Sequence, residues 1–459
     1  MQPITTQGVL FQSVFSKPVH ALFDQPHASS DGGAVLLKAA DRRVGLIDRL
    51  AAALPDHRQP GKVAHTLPEL LGQRIFGLAC GYEDGNDAAR LAADPVHKFL
   101  LDRDPVSGAD LASQPTLSRL ENSLTRSDLL RLGLALLDTV VDHHSRRLRR
   151  KCRRITVDLD PTDNPTHGAQ QLTFFNGHYD TWCYLPMVAF LTFDDEPDQY
   201  LCSAVLRPGN APVRNGAVGL LSRILPRLRA AFPGVEILVR LDGGFAVPEI
   251  LDFLSEQPDV LYVVGMPSNS RLERKAARFL REARQRFRAE QETCRVYGAF
   301  SYAAKTWHCQ RWIVVKAEVL AYEGRRPKNN PRFVVTNLYQ EPPQRVYEEL
   351  YCGRAHIENR IKELHDSLGF GRTSCSRFLA NQFRILLSAS AFVLMQEVRR
   401  AASKTSRAGL QAATIRDHLL KIGVRVVASV RRIVFHLPDS FPFRESWMQI
   451  ARALGATAG

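Results

Sequence analysis

Paired cysteines are missing from this sequence. Its eight cysteines (Cys80, Cys152, Cys183, Cys202, Cys294, Cys309, Cys352 and Cys375) are scattered, and none forms a Cys-x-x-Cys pair. That spacing argues against a zinc site or a disulfide framework and leaves reduced, mostly buried thiols as the expectation. No apolar run reads as long enough to span a bilayer. Neither a basic amphipathic helix with a hydrophobic face nor a lipid anchor stands out, and attachment to a membrane surface needs one of them. Met1 to Lys17 lacks a basic stretch followed by an apolar core, so no secretory leader is expected. Internal repeats and low-complexity tracts are absent too. A cytoplasmic, nucleoid-associated protein without membrane partners is the expectation.

What the chain does have is positive charge. It has 459 residues, with 61 Lys and Arg against 47 Asp and Glu, a net charge of +14. The isoelectric point is about 9.6. Such an excess attracts polyanions and fits a nucleic-acid partner. The hydrophobic fraction of 45% supplies a sizeable core, and at ~150 residues per domain the length allows about three domains.

Residues 1–30 look irregular; beyond them apolar residues recur at helical spacing through Gly33–Leu54, Leu67–Gly81, Asn86–Ala93, Thr116–Leu124 and Ser127–Val141, so the first 145 residues read as an all-helical region. A charge run, Arg146 to Arg154, marks the boundary. It suits a solvated linker and a DNA-backbone contact equally. Strand patterns follow at Ile155–Asp160, Leu185–Phe193 and Tyr200–Leu206. Strands and helices then alternate through Gly216–Gly265, which describes a mixed α/β sheet over 150–265. A strongly basic helix, Arg271 to Glu292, and two strand patterns (Arg295–Tyr302, Arg311–Tyr322) interrupt the alternation, so 266–330 reads as a β-rich insertion. The sheet pattern resumes over 331–400, with a long helical region at Pro343–Leu368 and an apolar helix at Asn381–Ala401. A C-terminal helical region, 401–459, closes the chain, with Ile415 to Leu437 reading as mixed helix and strand.

Three acids stand where chemistry could use them. In Val157-Asp158-Leu159-Asp160-Pro161-Thr162, alternation puts Asp158 and Asp160 on one strand face, and Pro161 ends the strand at Asp160. In Leu241-Asp242-Gly243-Gly244-Phe245, an apolar strand delivers Asp242 into a Gly-Gly turn, where a helix N-cap is the simpler reading. Tyr351, Arg354 and Glu358 lie at i, i+3 and i+7 on one helix face, which His365 continues. Carboxylates at two strand ends and a neighbouring helix are an economical way to gather the hard oxygen ligands that Mg²⁺ prefers.

Taken together, these segments resemble the DDE transposases of bacterial insertion sequences. More narrowly, they resemble the branch with the signature Tyr-x2-Arg-x3-Glu-x6-Lys, which Tyr351, Arg354 and Glu358 match. Asp160-Pro161-Thr162 resembles the family's first motif and Asp242-Gly243-Gly244-Phe245 its second. His167-Gly168-Ala169-Gln170-Gln171, Phe175–Asp180, Arg207-Pro208-Gly209-Asn210, Gly81–Asp84, Gln114–Arg119 and Phe378–Gln382 resemble subgroup motifs. The resemblance implies a ribonuclease H-like mixed sheet, with the β-rich insertion between the second Asp and the Glu. It implies Asp160, Asp242 and Glu358 as catalytic and metal-holding residues for two Mg²⁺ ions, with Mn²⁺ able to substitute, and no organic cofactor. DNA contacts would come from Tyr351, Arg354, Lys362 and His365, and from Arg271, Arg274, Lys275 and Arg278 of the basic helix.

The implied partners are the element's own terminal inverted repeats, read by the N-terminal helices, and target DNA, bound by a homodimer. The implied reaction cuts the element ends and transfers their 3′-OH strands. Asp158 competes with Asp160, and Glu363 with Glu358; the family spacing to Thr162 and to Tyr351 and Arg354 favours Asp160 and Glu358. Asp163 and His178 are candidates to support the acids. His365 stands where the family has Lys, which leaves open an impaired, DNA-binding relative. A ribonuclease H-like nuclease without strand transfer is the other alternative.

Overall fold

The computed structural model describes residues 9–14, 16–149, 151–322 and 325–457. Arg150 of the basic run and most of the stretch read for a leader lie outside them. The chain forms two compact units: one from 1–43, 58–118 and 397–459, the other from 44–57 and 119–396.

The second unit is built on one large sheet. Its strands are β1 (Arg154–Pro161), β2 (Met187–Phe193), β3 (Tyr200–Val205), β4 (Glu236–Leu241), β5 (Val260–Met266), β6 (Cys294–Tyr302), β7 (Arg311–Leu320) and β8 (Arg332–Thr336). Their order is β6-β7-β8-β5-β4-β1-β2-β3. β1, β4 and β5 are parallel; β2 and β3 extend the sheet antiparallel on one side. β8, β7 and β6 extend it antiparallel on the other. The long helices are α1 (Arg126–Leu148), α2 (Ala217–Ala231), α3 (Pro248–Glu256), α4 (Ser270–Glu290), α5 (Ala355–Leu368) and α6 (Phe378–Ala401).

Alternation decides what each strand shows. On β1, Ile155, Val157 and Leu159 are fully buried, and Asp158 and Asp160 share the opposite face. That is also the face of Leu238 on β4, which packs with Val263, Val314, Val334, Val346 and Tyr347 beneath the segment leading to α5. α1 begins at a reciprocal cap, Thr125 with Asp128 at its third position, rather than at Ser127. Its far end lays His144 against Phe193 and Tyr200.

Three expectations need correction. The first 145 residues are not all helical. Val9–Val14 pairs with Lys17–Ala21, and Ala28–Ser29 joins Val424–Ala428 and Ile433–His436 in a three-stranded sheet of the first unit. The first of these pairings is local, but that of Ala28–Ser29 with Val424–Ala428 joins positions almost a whole chain apart, which helical periodicity, a local signal, does not report. Nor do 266–330 stand apart from the sheet. β8 pairs with both β5 and β7, so the expected insertion continues the central sheet. Third, helix Phe378–Lys404 is long and apolar enough to cross a membrane by length and composition, but most of its apolar stretch is buried. Its glutamines serve edge strand β3. Leu206 N donates to Gln382 Oε1 at 2.6 Å and Gln382 Nε2 to Ala204 O at 3.2 Å; Leu201 N donates to Gln396 Oε1 at 3.1 Å and Gln396 Nε2 to Gln199 O at 2.5 Å. The edge that strand addition would otherwise use is thereby occupied.

α4 is basic and amphipathic after all. Leu272, Ala276, Leu280 and Ala283 are buried, and Ala283 packs with Val296 of β6 and Val319 of β7. Arg271, Arg274, Lys275 and Arg278 are exposed, with Lys275 over the Phe300 ring and Arg278 donating to Ala299 O. The apolar face that would attach to a membrane is already covered.

Several motif residues turn out to fasten a small hairpin beside β1. Phe174–Asn176 and Asn164–Pro165 both pair with Thr181–Tyr184. Arg207 Nε donates to Leu185 O at 2.8 Å, and its Nη1 donates to the carbonyls of Pro212, Val213 and Asn215. Gly209 leaves no room for a side chain: a Cβ there would lie 2.7 Å from Phe174 O and closer still to Cys183 O. Gly209→Ala is expected to push the hairpin off this loop and destabilise the protein by about 1–3 kcal/mol, measured by urea denaturation.

Candidate active site

Two acids arrive at one end of neighbouring parallel strands. The register pairs Arg240 of β4 with Asp158 of β1. Two residues further on, β1 ends at Asp160-Pro161 and β4 runs into Asp242. The carboxyl ends of parallel strands are where ligands bind in α/β sheets, because the chain leaves the sheet there and opens a crevice. Asp242 does cap a turn: its Oδ1 accepts from Gly244 N at 2.8 Å. Gly243 and Gly244 do not use positive φ. Their role is close approach, since a Cβ on Gly244 would lie 2.7 Å from Val213 Cγ1.

The third acid comes from a helix whose winding changes on the way in. Val346–Tyr351 is a π-helical turn, Cys352–Arg354 a 3₁₀ turn, and α5 proper starts at Ala355. Such changes of pitch re-aim side chains and recur at functional sites. Here they turn Arg354 towards both acids: Nη1 lies 3.1 Å from Asp160 Oδ2, and Nη2 lies 3.7 Å from Glu358 Oε1. The Asp160 side chain is 13% exposed and the Glu358 side chain 64%, so Glu358 is the solvent-facing member. Tyr351 is half-buried, with its hydroxyl against Gly265.

The acids repel one another. Burial, opposed by Arg354 and reinforced by the charges of Asp242 and Glu358, pushes the Asp160 carboxyl up to about 7. Burial works against the charged form of Arg354, but Asp160 and Asp242 outweigh it and raise its pKa. Burial followed by the charges of Asp163, Asp160 and Asp242 pushes Tyr179 up to about 12, so this hairpin residue feels the acidic cluster.

Asp158 and Glu363 are committed elsewhere. Arg240 donates from Nε to Asp158 Oδ1 at 2.8 Å and from Nη2 to Oδ2 at 2.7 Å. Burial pushes the Asp158 carboxyl up, and Arg240 opposes it. Glu363 is buried with Arg360, whose Nη1 donates to both its oxygens at 3.1 and 3.2 Å. His365 Nε2 lies 3.1 Å from the Thr162 hydroxyl. Burial lowers its pKa below 6.5, so the ring is neutral at pH 7. Lys362, one turn earlier, is exposed. Asp163 acts electrostatically on His365 and Tyr179, and His178 packs edge-on against Tyr179.

A family model described as "Transposase DDE domain group 1" matches residues 11–458. The chain belongs to that family. No curated protein matches it. Seven solved chains do. One is the piggyBac transposase in a synaptic complex with hairpin DNA, determined by cryo-EM; it is 12% identical, and the match covers 85% of this chain and 79% of that one at a TM-score of 0.40. So loose a likeness carries no weight for the site.

Members of a DDE family take divalent cations, and the donor set here fits them. It is all carboxylate oxygen, the hard ligand type of Mg²⁺, and it carries negative charge for which Arg354 is the close cation. Among the described residues, the one trio of His, Cys or acid ligand atoms already within 4.8 Å of one another lies elsewhere: Asp31, Cys80 and His97 of the first unit. That trio is closed by charge. Asp31 bonds His97 Nε2 at 2.9 Å and accepts from Lys421 Nζ at 2.7 Å, while burial drives the Cys80 thiol far upward and keeps it protonated.

Two residues were given no role of their own in the sequence. Tyr179 lay inside the Phe175–Asp180 motif but carried no spacing signal. Arg240 did: 82 residues separate it from Asp158, the same interval that separates Asp160 from Asp242.

The raised Asp160 has a thermodynamic consequence. The unfolded carboxyl ionises near 3.8 and the folded one near 7, so between those values the native state holds a proton that the unfolded state has lost. In metal-free buffer stability should therefore fall as pH rises from about 4 to about 7. Asp160→Asn should flatten that slope and be the more stable protein at pH 8, by about 2–4 kcal/mol. Chemical denaturation at pH 5 and pH 8 checks both statements.

Proposed function

We propose that the protein is a DNA transposase that cleaves the ends of its insertion sequence and transfers the 3′-OH strands to target DNA by two-metal-ion phosphoryl transfer. The observation that carries this reading is the electrostatic coupling of Asp160, Asp242 and Glu358 around Arg354 at the carboxyl end of two parallel strands. The strand order β3-β2-β1-β4-β5, with β1 to β3 antiparallel and β4 and β5 parallel to β1, supports a ribonuclease H-like core.

Asp160, Asp242 and Glu358 would hold two Mg²⁺ ions, which when bound activate the attacking oxygen and neutralise the leaving one. Asp160 must give up its proton and loosen its hold on Arg354 before it can act as a ligand. The freed guanidinium, one turn before Glu358, then faces the scissile diester, whose oxygens it can bond in its planar fork. Tyr351 lines the same strand path. Lys362 supplies the phosphate-binding cation that a neutral His365, tied to Thr162, does not. The exposed Arg271, Arg274, Lys275 and Arg278 of α4 contact the DNA backbone, and the N-terminal helices read the terminal inverted repeats. Two ends must be held at once, so the working form is a homodimer on DNA in the cytoplasm.

The test is excision in cells from a plasmid carrying the gene's own flanks around a marker. Wild type should excise, and Asp242→Asn should fall to the no-enzyme background while still binding end DNA. Binding by both without excision by either would favour the impaired, DNA-binding relative, to which the neutral His365 lends weight; cleavage without joining would favour a ribonuclease H-like nuclease. Replacing Arg274 and Lys275 of α4 with alanine should weaken end binding across sequences. The slope of log affinity on log salt should become shallower by about 1 for each phosphate no longer neutralised.

A further inference from the structure

We infer that Arg240 is a positioning residue that sets the spacing of all three acids. The residue ties together the two strands that carry Asp160 and Asp242 and the turn that leads to Glu358. It grips Asp158, two residues before Asp160, through two bonds of 2.8 and 2.7 Å. It stands on β4, two residues before Asp242. Its remaining Nη1 donates to Leu350 O at 3.2 Å, at the end of the π-helical turn that leads to Tyr351, Arg354 and Glu358. The fit against that turn is close: a Cβ on Gly353 would lie 2.5 Å from Arg240 Nη1. The Asp158 side chain is fully buried and that of Arg240 is 10% exposed.

The chemistry explains why arginine is needed. A guanidinium has five N–H donors fixed in one plane, so two can clamp a carboxylate while a third reaches a carbonyl on another element. An ammonium can balance the charge of Asp158 but cannot hold both directions with the same geometry. Asp158, with both oxygens committed, is part of this clamp. Arg240 touches none of the reacting groups of the proposed reaction; it acts through the backbone that carries them. Bonded across the sheet and up to the helix, it fixes how far Glu358 stands from the two strand ends.

The cleavage arm of the test rests on the function proposed above; the exchange arm does not. Arg240→Lys keeps the charge opposite Asp158 and loses the bond to Leu350. The double variant Asp158→Leu with Arg240→Met replaces the buried pair by apolar groups of similar volume, a change that folded proteins commonly tolerate. Backbone hydrogen exchange is followed by mass spectrometry over residues 346–358, without DNA or metal. We expect exchange there to quicken about tenfold in both variants, from loss of one tethering bond, with β2 and β3 unchanged. End-DNA affinity should hold and single-turnover cleavage fall about 10²-fold, as for a misplaced catalytic group. Unchanged exchange over 346–358 in both variants would overturn the inference. If the wild type itself fails to cleave, the proposed function falls, and the exchange result still decides the role of Arg240. Should the double variant not fold, Arg240→Lys decides alone.

Discussion

The second unit is organised around a buried ion pair within its sheet. Asp158 and Arg240 sit in the middle of two apolar strands, where an unpaired charge would be costly. They are tolerable because each satisfies the other in a bidentate contact at 2.7 and 2.8 Å. A pair of this kind is weak evidence for stability, since apolar residues of similar volume often do as well. What it supplies is register. A slip of β4 against β1 would separate the partners and bury both charges alone, so the strands pair in the one alignment that also sets Asp160 beside Asp242.

Just beyond that pair the same sheet does the opposite with charge. Asp160, Asp242 and Glu358 are gathered with Arg354 as their close counter-charge, and burial, reinforced by the charges of Asp242 and Glu358 against Arg354, raises Asp160 to about 7. A fold optimised for stability alone would spread these acids out. Proteins tolerate such unfavourable charge where function draws on it, and a divalent cation would reverse the sign of the effect. Arg354 is a cation of the protein's own that offsets the repulsion among these carboxylates. The clamp at Arg240 and the repulsion at Asp160 are complementary, because closely spaced like charges need a rigid frame.

Much of this was legible in the sequence, for physical reasons. The strand carrying Asp160 announces itself by alternation and ends at Pro161. Asp242 is delivered by an apolar run that only Arg240 interrupts. Tyr351, Arg354 and Glu358 keep helical spacing even though the backbone reaches them through a π and then a 3₁₀ turn. The local signals failed where partners are distant. Nothing near Ala28 reveals that it pairs with Arg425, and nothing within β6 and β7 tells a separate insertion from an extension of the main sheet. Asp158 looked like a rival ligand because its face was readable and its partner was not. The repeated interval of 82 residues held that information, but only once the two strands were known to be neighbours.

The two glutamines of α6 have a consequence of another kind. Gln382 and Gln396 are fourteen residues apart, about four helical turns, so they project from one side and lie about 21 Å apart. They grip β3 near opposite ends, Gln382 at Ala204 and Leu206 and Gln396 at Gln199 and Leu201. A purely greasy helix could slide along the sheet at little cost, one apolar contact replacing another. Two amides on a fixed baseline, meeting carbonyls and amides at two set points, turn the helix into a ruler laid along the strand. One residue added to or removed from α6 between them would rotate one amide about 100° away from its mark, while leaving the oiliness of the helix almost untouched.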